Sequence, residues 1–185
     1  DGNVYLKWSV RSLTTLHQHL IRTPKKLCGP ALSSPAAEKY LFVVNGDGTL
    51  AAVSWNERIG GERVGFVPWV TDGTYINLTP MFGKYWAIVQ RDVAGIFTQF
   101  REQFDDDTYL DCAVQASVGG GMPVPHLAGN TVSIGGPDFY AGDFVTDGTG
   151  GIVGEPDFDG DRQIGLRFTA SLGPWPVEVI ESPRA

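Results

Sequence analysis

The stretch Tyr40-Leu41-Phe42-Val43-Val44-Asn45-Gly46-Asp47-Gly48-Thr49-Leu50-Ala51-Ala52-Val53-Ser54-Trp55 decides the fold class. Two apolar runs, Tyr40 to Val44 and Thr49 to Trp55, flank Asn45-Gly46-Asp47-Gly48, whose residues tolerate positive φ. This pattern reads as an antiparallel hairpin.

Upstream, Val4, Leu6, Trp8 and Val10 alternate with Tyr5, Lys7, Ser9 and Arg11, the period of two that a half-buried strand requires. From Thr23-Pro24 through Gly29-Pro30 to Ser34-Pro35 periodicity fades and proline accumulates, which reads as a linker. Downstream, Val64 to Val70, Tyr75 to Leu78 and Tyr85 to Gln90 read as strands, with Thr71-Asp72-Gly73 a turn and Pro68 confining the first run to an edge or bulge. After Asp92, Val93, Ile96, Phe97, Phe100 and Phe104 carry helical spacing, so one short helix is expected over about 93–104. Leu110 to Val118 and Ile164 to Ala170 alternate again, and Val177 and Val179 mark a last strand. The intervening region, Gly119 to Gly160, is rich in glycine, proline and aspartate; it reads as long exposed loops with brief strands at Val132 to Ile134 and Phe139 to Val145. Eight to ten short strands make the expected fold all-β, an antiparallel β-sandwich or barrel.

Composition agrees with that class: 24 Gly and 12 Pro, together 36 of 185 residues, suit a turn-rich β protein. With 42% hydrophobic and only 19% charged residues the chain can bury a core. A net charge of −7 argues against a nucleic-acid partner, because phosphate binding needs clustered cations. No run approaches the length of a membrane-spanning helix, so no membrane insertion is expected, and residues 1–20 hold Lys7, Arg11 and two histidines where an export signal needs apolar residues. Two cysteines, Cys28 and Cys112, are too few for a disulfide framework, and Cys112 reads as a buried thiol on a strand. Charge is uneven: residues 2–37 contain five bases and no acid, whereas 101–185 hold 14 acids against 4 bases. That asymmetry divides the chain into 1–37 and 38–185.

Several constellations could carry chemistry. Asp157, Asp159 and Asp161, spaced around Gly160, could converge on calcium, although no glutamate stands at the twelfth loop position, which is Phe168; the alternative is an acidic hairpin turn. No other cofactor is expected. Asp105-Asp106-Asp107 with Asp111 form a second acidic cluster, read as solvated. His17 and His19 share a strand face without a third zinc ligand. His126 could meet Ser117 or Ser133 and Asp138 or Asp143 as a hydrolytic triad, but no nucleophile elbow accompanies them, and no enzyme is expected. Gly119-Gly120-Gly121 reads as a flexible turn, and Asn77-Leu78-Thr79 is a glycosylation acceptor pattern overlapping a strand. Among the aromatics near turns or proline breaks, Trp55, Trp69, Tyr75, Trp86, Tyr140 and Trp175, one or two are expected to serve a surface site. The residues chosen for surface binding are Trp69, Asp138, Tyr140 and Asp143.

The stretch Gly2-Asn3-Val4-Tyr5-Leu6-Lys7-Trp8-Ser9-Val10 is similar to the terminal jelly-roll shell strand of noda-like and tetra-like virus coat proteins, which leads into a protruding domain. The insect-virus group that contains Lake Sinai virus resembles it most. The resemblance implies a capsid protein of a small non-enveloped RNA virus, with residues 1–37 a shell-like strand and linker and 38–185 a protruding domain on the virion surface. It further implies neighbouring coat-protein subunits and a host-cell receptor or glycan as partners, with Gly119 to Gly160 outermost. A carbohydrate-binding module of a secreted protein remains the alternative, and a Ser/His/Asp hydrolase a further one.

Overall fold

A computed structural model describes residues 18–29, 39–55, 64–105, 107–116, 122–154 and 160–171. The expected strands at Val4 to Val10 and Val177 to Val179, His17, Ser117, the Gly119 run, Asp157, Asp159 and Trp175 lie outside these residues, as does the Trp55 side chain.

Asn45-Gly46-Asp47-Gly48 closes the hairpin as its chemistry requires. Asn45 N–H donates to Thr49 O at 2.9 Å, Gly48 N–H donates to Asn45 O at 3.1 Å, and Asp47 Oδ1 accepts from the Thr49 amide at 3.0 Å. The flanking strands, β2 (Lys39–Asn45) and β3 (Leu50–Trp55), lie between β1 (Pro24–Cys28) and β4 (Val64–Trp69) in one antiparallel sheet ordered β1-β2-β3-β4. Pro68 on β4 is paired with Ala51, the edge placement its missing N–H demands. The Pro24–Cys28 strand differs from the linker expected there. Lys26, Leu27 and Cys28 pair with Val44, Val43 and Phe42, and β1 is an edge strand, where proline is tolerated.

A second sheet holds β5 (Thr74–Met81), β6 (Lys84–Val93) and β7 (Ile96–Gln103). It packs on the first through a core of Cys28, Phe42, Val44, Leu50 and Ala52 against Tyr75, Leu78, Ala87 and Val89. Phe42 is the centre of an aromatic group. Its ring lies 4.8 Å from Tyr85, 5.2 Å from Trp69 and 5.7 Å from Phe104, in tilted or edge-on arrangements.

The helix expected over 93–104 is a strand. Ala94 and Gly95, at φ 52° and 84°, turn the chain back, so that Val93 faces Ile96 and the pairing continues to Trp86 opposite Gln103. Positive φ at both central residues is the turn that matches the strand twist. The apparent helical stripe dissolves because Ile96 and Phe97 are exposed, while Thr98, Phe100, Glu102 and Phe104 take the half-buried side at a period of two.

A third sheet, ordered β10-β9-β11-β8, comprises β8 (Asp111–Ala116), β9 (Thr131–Gly135), β10 (Tyr140–Val145) and β11 (Arg162–Leu166). Its core is Ala116, Val132, Ile134, Ile164 and Leu166, capped by Val124 and Leu127 around a short 3-10 turn at Pro125–Leu127. The brief strands expected within 119–160 are β9 and β10, but the described part of that region is not simply exposed loop, since Val124, Leu127, Val132 and Ile134 are buried. The described residues thus form antiparallel sheets in a sandwich arrangement without a closed barrel, and their helical content is 3-10 turns at Gln18–Leu20 and Pro125–Leu127.

Candidate functional site

Between the Val70–Asp72 turn and the outer face of the third sheet lies an open groove of about 520 Å³. It is lined by Thr131, Ser133 and Asp143, by Leu166 to Thr169, and by Asp111. Val70 and Phe168 on its rim are both exposed.

Asp143 organises the sheet side. Register places it opposite Ser133, whose hydroxyl donates to Asp143 Oδ1, while Arg167 Nη1 donates to Oδ2 at 3.2 Å. The Arg167 guanidinium lies over the Tyr140 ring, 5.5 Å from its centroid. The Ser133 hydrogen bond first, then that of the Tyr140 phenol, holds the Asp143 carboxyl below the usual carboxylate range. The same contact pushes the Tyr140 phenol above its ordinary value. Tyr140, 57% exposed, thus presents a ring fixed in place beside an acid, a cation and hydroxyls.

The Thr71–Asp72 turn is held by Asp111. Its Oδ2 accepts from Thr71 Oγ1 at 2.6 Å and from the Asp72 amide at 3.3 Å, and its Oδ1 lies 3.5 Å from Arg91 Nη2. Arg91 also donates to the Asp72 carbonyl at 2.5 Å and to both Glu102 oxygens. Burial alone would lower the Arg91 pKa, but the Glu102 hydrogen bonds and surrounding negative charge outweigh it and hold the pKa above its ordinary value. Beside it, burial pushes the Cys112 thiol up to about 12, so the sulfur is a neutral packing group, and neither cysteine is in a disulfide.

Of the residues chosen from sequence, Tyr140 and Asp143 come together. Asp138 is exposed in the β9–β10 turn. Trp69, 37% exposed, spends its ring on Phe42 and Phe104 rather than on the groove. Asp161 is exposed, and no group of three metal-ligating side chains occurs among the described residues. His19 lies in the Gln18–Leu20 turn rather than on a strand. His126 Nε2 is 3.0 Å from the Cys112 carbonyl, which only accepts, so that nitrogen carries the proton; its ring meets Phe100. Ser133 donates to Asp143, so serine and histidine have separate partners here. Asp105 pairs with Lys84 at 3.6 Å and caps the Asp107 amide, separate from Asp111. Tyr75 is interior, and Trp86 lies beneath the Arg101 guanidinium at 5.1 Å.

Arg167, the pairing of Arg91 with Asp111, and the role of Ser133 as hydrogen-bond partner of Asp143 rather than nucleophile escaped sequence reasoning. The accessible signal was register: once Val132 to Ile134 and Phe139 to Val145 are read as one hairpin, Ser133 falls opposite Asp143. No helix of the described residues is long and apolar enough to cross a membrane. No protein-family model and no curated protein matches this chain.

Proposed function

We propose that this chain is the protruding domain of a small non-enveloped RNA virus coat protein, a surface module of the virion that holds a host-cell glycan in the groove beside Tyr140. The observation that carries the binding role is the braced set Ser133, Asp143 and Arg167, which line an open groove, with the exposed Tyr140 ring held under the Arg167 guanidinium. Rings stack on the apolar faces of sugars, and a few fixed polar groups set orientation. The antiparallel body supports the same reading, because a covered sheet tolerates exposure while its loops vary. The acidic balance limits sticking to RNA, and neighbouring coat-protein subunits are the other partners of such a module. Binding without chemistry is favoured over hydrolysis because Ser133 and His126 are committed to Asp143 and to a backbone carbonyl.

The test is made in a full coat protein containing this chain. Removing residues 18–185, which takes β1 together with the sandwich it pairs into, is expected to leave shell assembly intact and to reduce cell binding, and Tyr140→Ala with Arg167→Ala in intact particles is expected to do the same. Particles that bind cells equally well after either change would overturn the reading. The same Tyr140–Arg167 chemistry also suits a carbohydrate-binding module of a secreted protein. That reading prevails if the protein containing this chain forms no particles by electron microscopy and the isolated domain binds glycans as a monomer.

A further inference from the structure

Asn45 ends β2 in the dipeptide Asn45-Gly46 and is 1% exposed. Its Oδ1 accepts from the Arg22 amide at 2.9 Å, and its Nδ2 donates to the Leu20 carbonyl at 2.9 Å and to Thr49 Oγ1 at 2.9 Å. The next amide is engaged as well: Gly46 N–H donates to the Arg22 carbonyl at 3.1 Å. Apart from the Thr49 bond, which lies within the hairpin, both groups are held by one short segment, Gln18–Thr23, laid across the hairpin like a strap. Packing is close, for a Cβ on Gly46 would collide with Thr23 Oγ1. Thr23 sits at φ 44°, a strained conformation for a β-branched residue, so the strap is held at a cost.

An asparagine followed by glycine is where the chain most readily attacks itself, because glycine offers no Cβ to hinder the approach. The Gly46 nitrogen gives up its proton and bonds to Asn45 Cγ. The Cγ–Nδ2 bond breaks, ammonia leaves with that proton, and a five-membered succinimide remains. Water then opens one of its two C–N bonds to give aspartate or isoaspartate; no co-reactant besides water is consumed. In the docked state Nδ2 and Oδ1 are pinned, and the attacking nitrogen is spent on Arg22.

We propose that Asn45-Gly46 is a latent deamidation site sealed by the docked Gln18–Thr23 strap, and that undocking of the strap opens it to a reaction that prevents re-docking. The product cannot restore the seal. A carboxylate oxygen at the Nδ2 position faces the Leu20 carbonyl, acceptor against acceptor, and isoaspartate adds a backbone methylene where Pro24 pairs with residue 45. The strap immediately precedes β1, so any movement of the preceding residues against the sandwich acts on this seal first. The inference stands independently of the glycan reading.

The test incubates the full chain in mildly alkaline buffer and follows the Asn45 amide by peptide-mapping mass spectrometry, with Asn130-Thr131 as internal reference. Arg22→Pro removes the amide donor to Oδ1 but leaves the Arg22-position carbonyl. Where it speeds tryptic cleavage after Lys25, amide loss at Asn45 is expected to rise at least about ten-fold, with Asn130 unchanged. Equal loss in variant and wild type, with the strap released, overturns the proposal. If Arg22→Pro fails to fold or leaves the strap docked, a urea series on the wild type decides. Amide loss is expected to rise with cleavage after Lys25, below the denaturant range in which circular dichroism changes, and a rise only with global unfolding overturns the proposal.

Discussion

Arg91 on β6 and Glu102 on β7 are joined by two parallel hydrogen bonds, Nε to Oε1 at 2.7 Å and Nη2 to Oε2 at 2.8 Å, with Arg91 only 3% exposed. The same guanidinium reaches Asp111 at the start of the third sheet and the Asp72 carbonyl, so one buried cation ties the β5–β7 sheet, the groove turn and the third sheet together. A bidentate fork suits arginine alone among the cations. Arg91→Met strands two mostly buried carboxylates and is expected to cost about 3–5 kcal/mol in urea unfolding, whereas Arg91→Met with Glu102→Leu recovers much of that loss. An unchanged urea midpoint in the single variant would show that the junction does not depend on this charge.

Phe42 touches rings from both sheets of the first core and is almost fully buried. Truncation to alanine leaves a void that rigid aromatic neighbours fill poorly. Phe42→Ala is expected to destabilise by about 3–5 kcal/mol. A loss below about 1 kcal/mol in the same titration would mean that the aromatic group collapses freely.

Phe82 and Gly83 close the β5–β6 hairpin at φ 51° and 76°, and the Phe82 side chain is 91% exposed. A bulky L-residue pays about 1–2 kcal/mol for that conformation and recovers little through packing. Phe82→Asn, which supplies the preferred Asn-Gly turn, is expected to stabilise by about 0.5–1 kcal/mol and to raise the thermal midpoint. A lowered midpoint would reveal a contact for this ring.

Asp143 has a lowered pKa in the folded protein because Ser133 and Tyr140 donate to its carboxylate. As pH falls, the unfolded chain therefore takes up its proton first. The stabilisation is whole above about pH 4, the ordinary aspartate range, and is lost as pH falls through the folded value. Asp47 and Asp147, held down chiefly by the Thr49 and Thr149 hydroxyls, lose theirs in the same direction. Thermal midpoints should be flat near neutrality and fall below about pH 4, and Asp143→Asn should make that fall shallower. An acid limb identical in the variant would count against the brace.

The hairpin at Asn45 to Gly48 was legible because turn chemistry and flanking runs agree, and most later strands followed from period two. The β6–β7 turn was not. Val93, Ile96, Phe97, Phe100 and Phe104 satisfy a helical period by coincidence, and an Ala-Gly turn with an exposed apolar pair after it imitates an amphipathic stripe. Pro24–Cys28 reads as linker because an edge strand needs pairing on one side only, so its sequence is weakly constrained. At the site, Tyr140 and Asp143 are three apart and would fall on opposite faces of a regular strand. The register shift between Tyr140 and Gly142, with Gly142 at φ 134°, lets them meet. Arg167 follows the end of β11, where no period constrains a side chain, and Arg91 falls just after the Tyr85–Gln90 run, where nothing in the pattern marks it as buried.

Strand β11, the last in sequence among the described strands of the third sheet, occupies an interior position between β9 and β8. During synthesis those two strands must wait with unpaired inner edges until Arg162–Leu166 leaves the ribosome. A premature stop before residue 162 would thus yield not a shortened domain but a sticky one, its open ladders seeking strands from other chains.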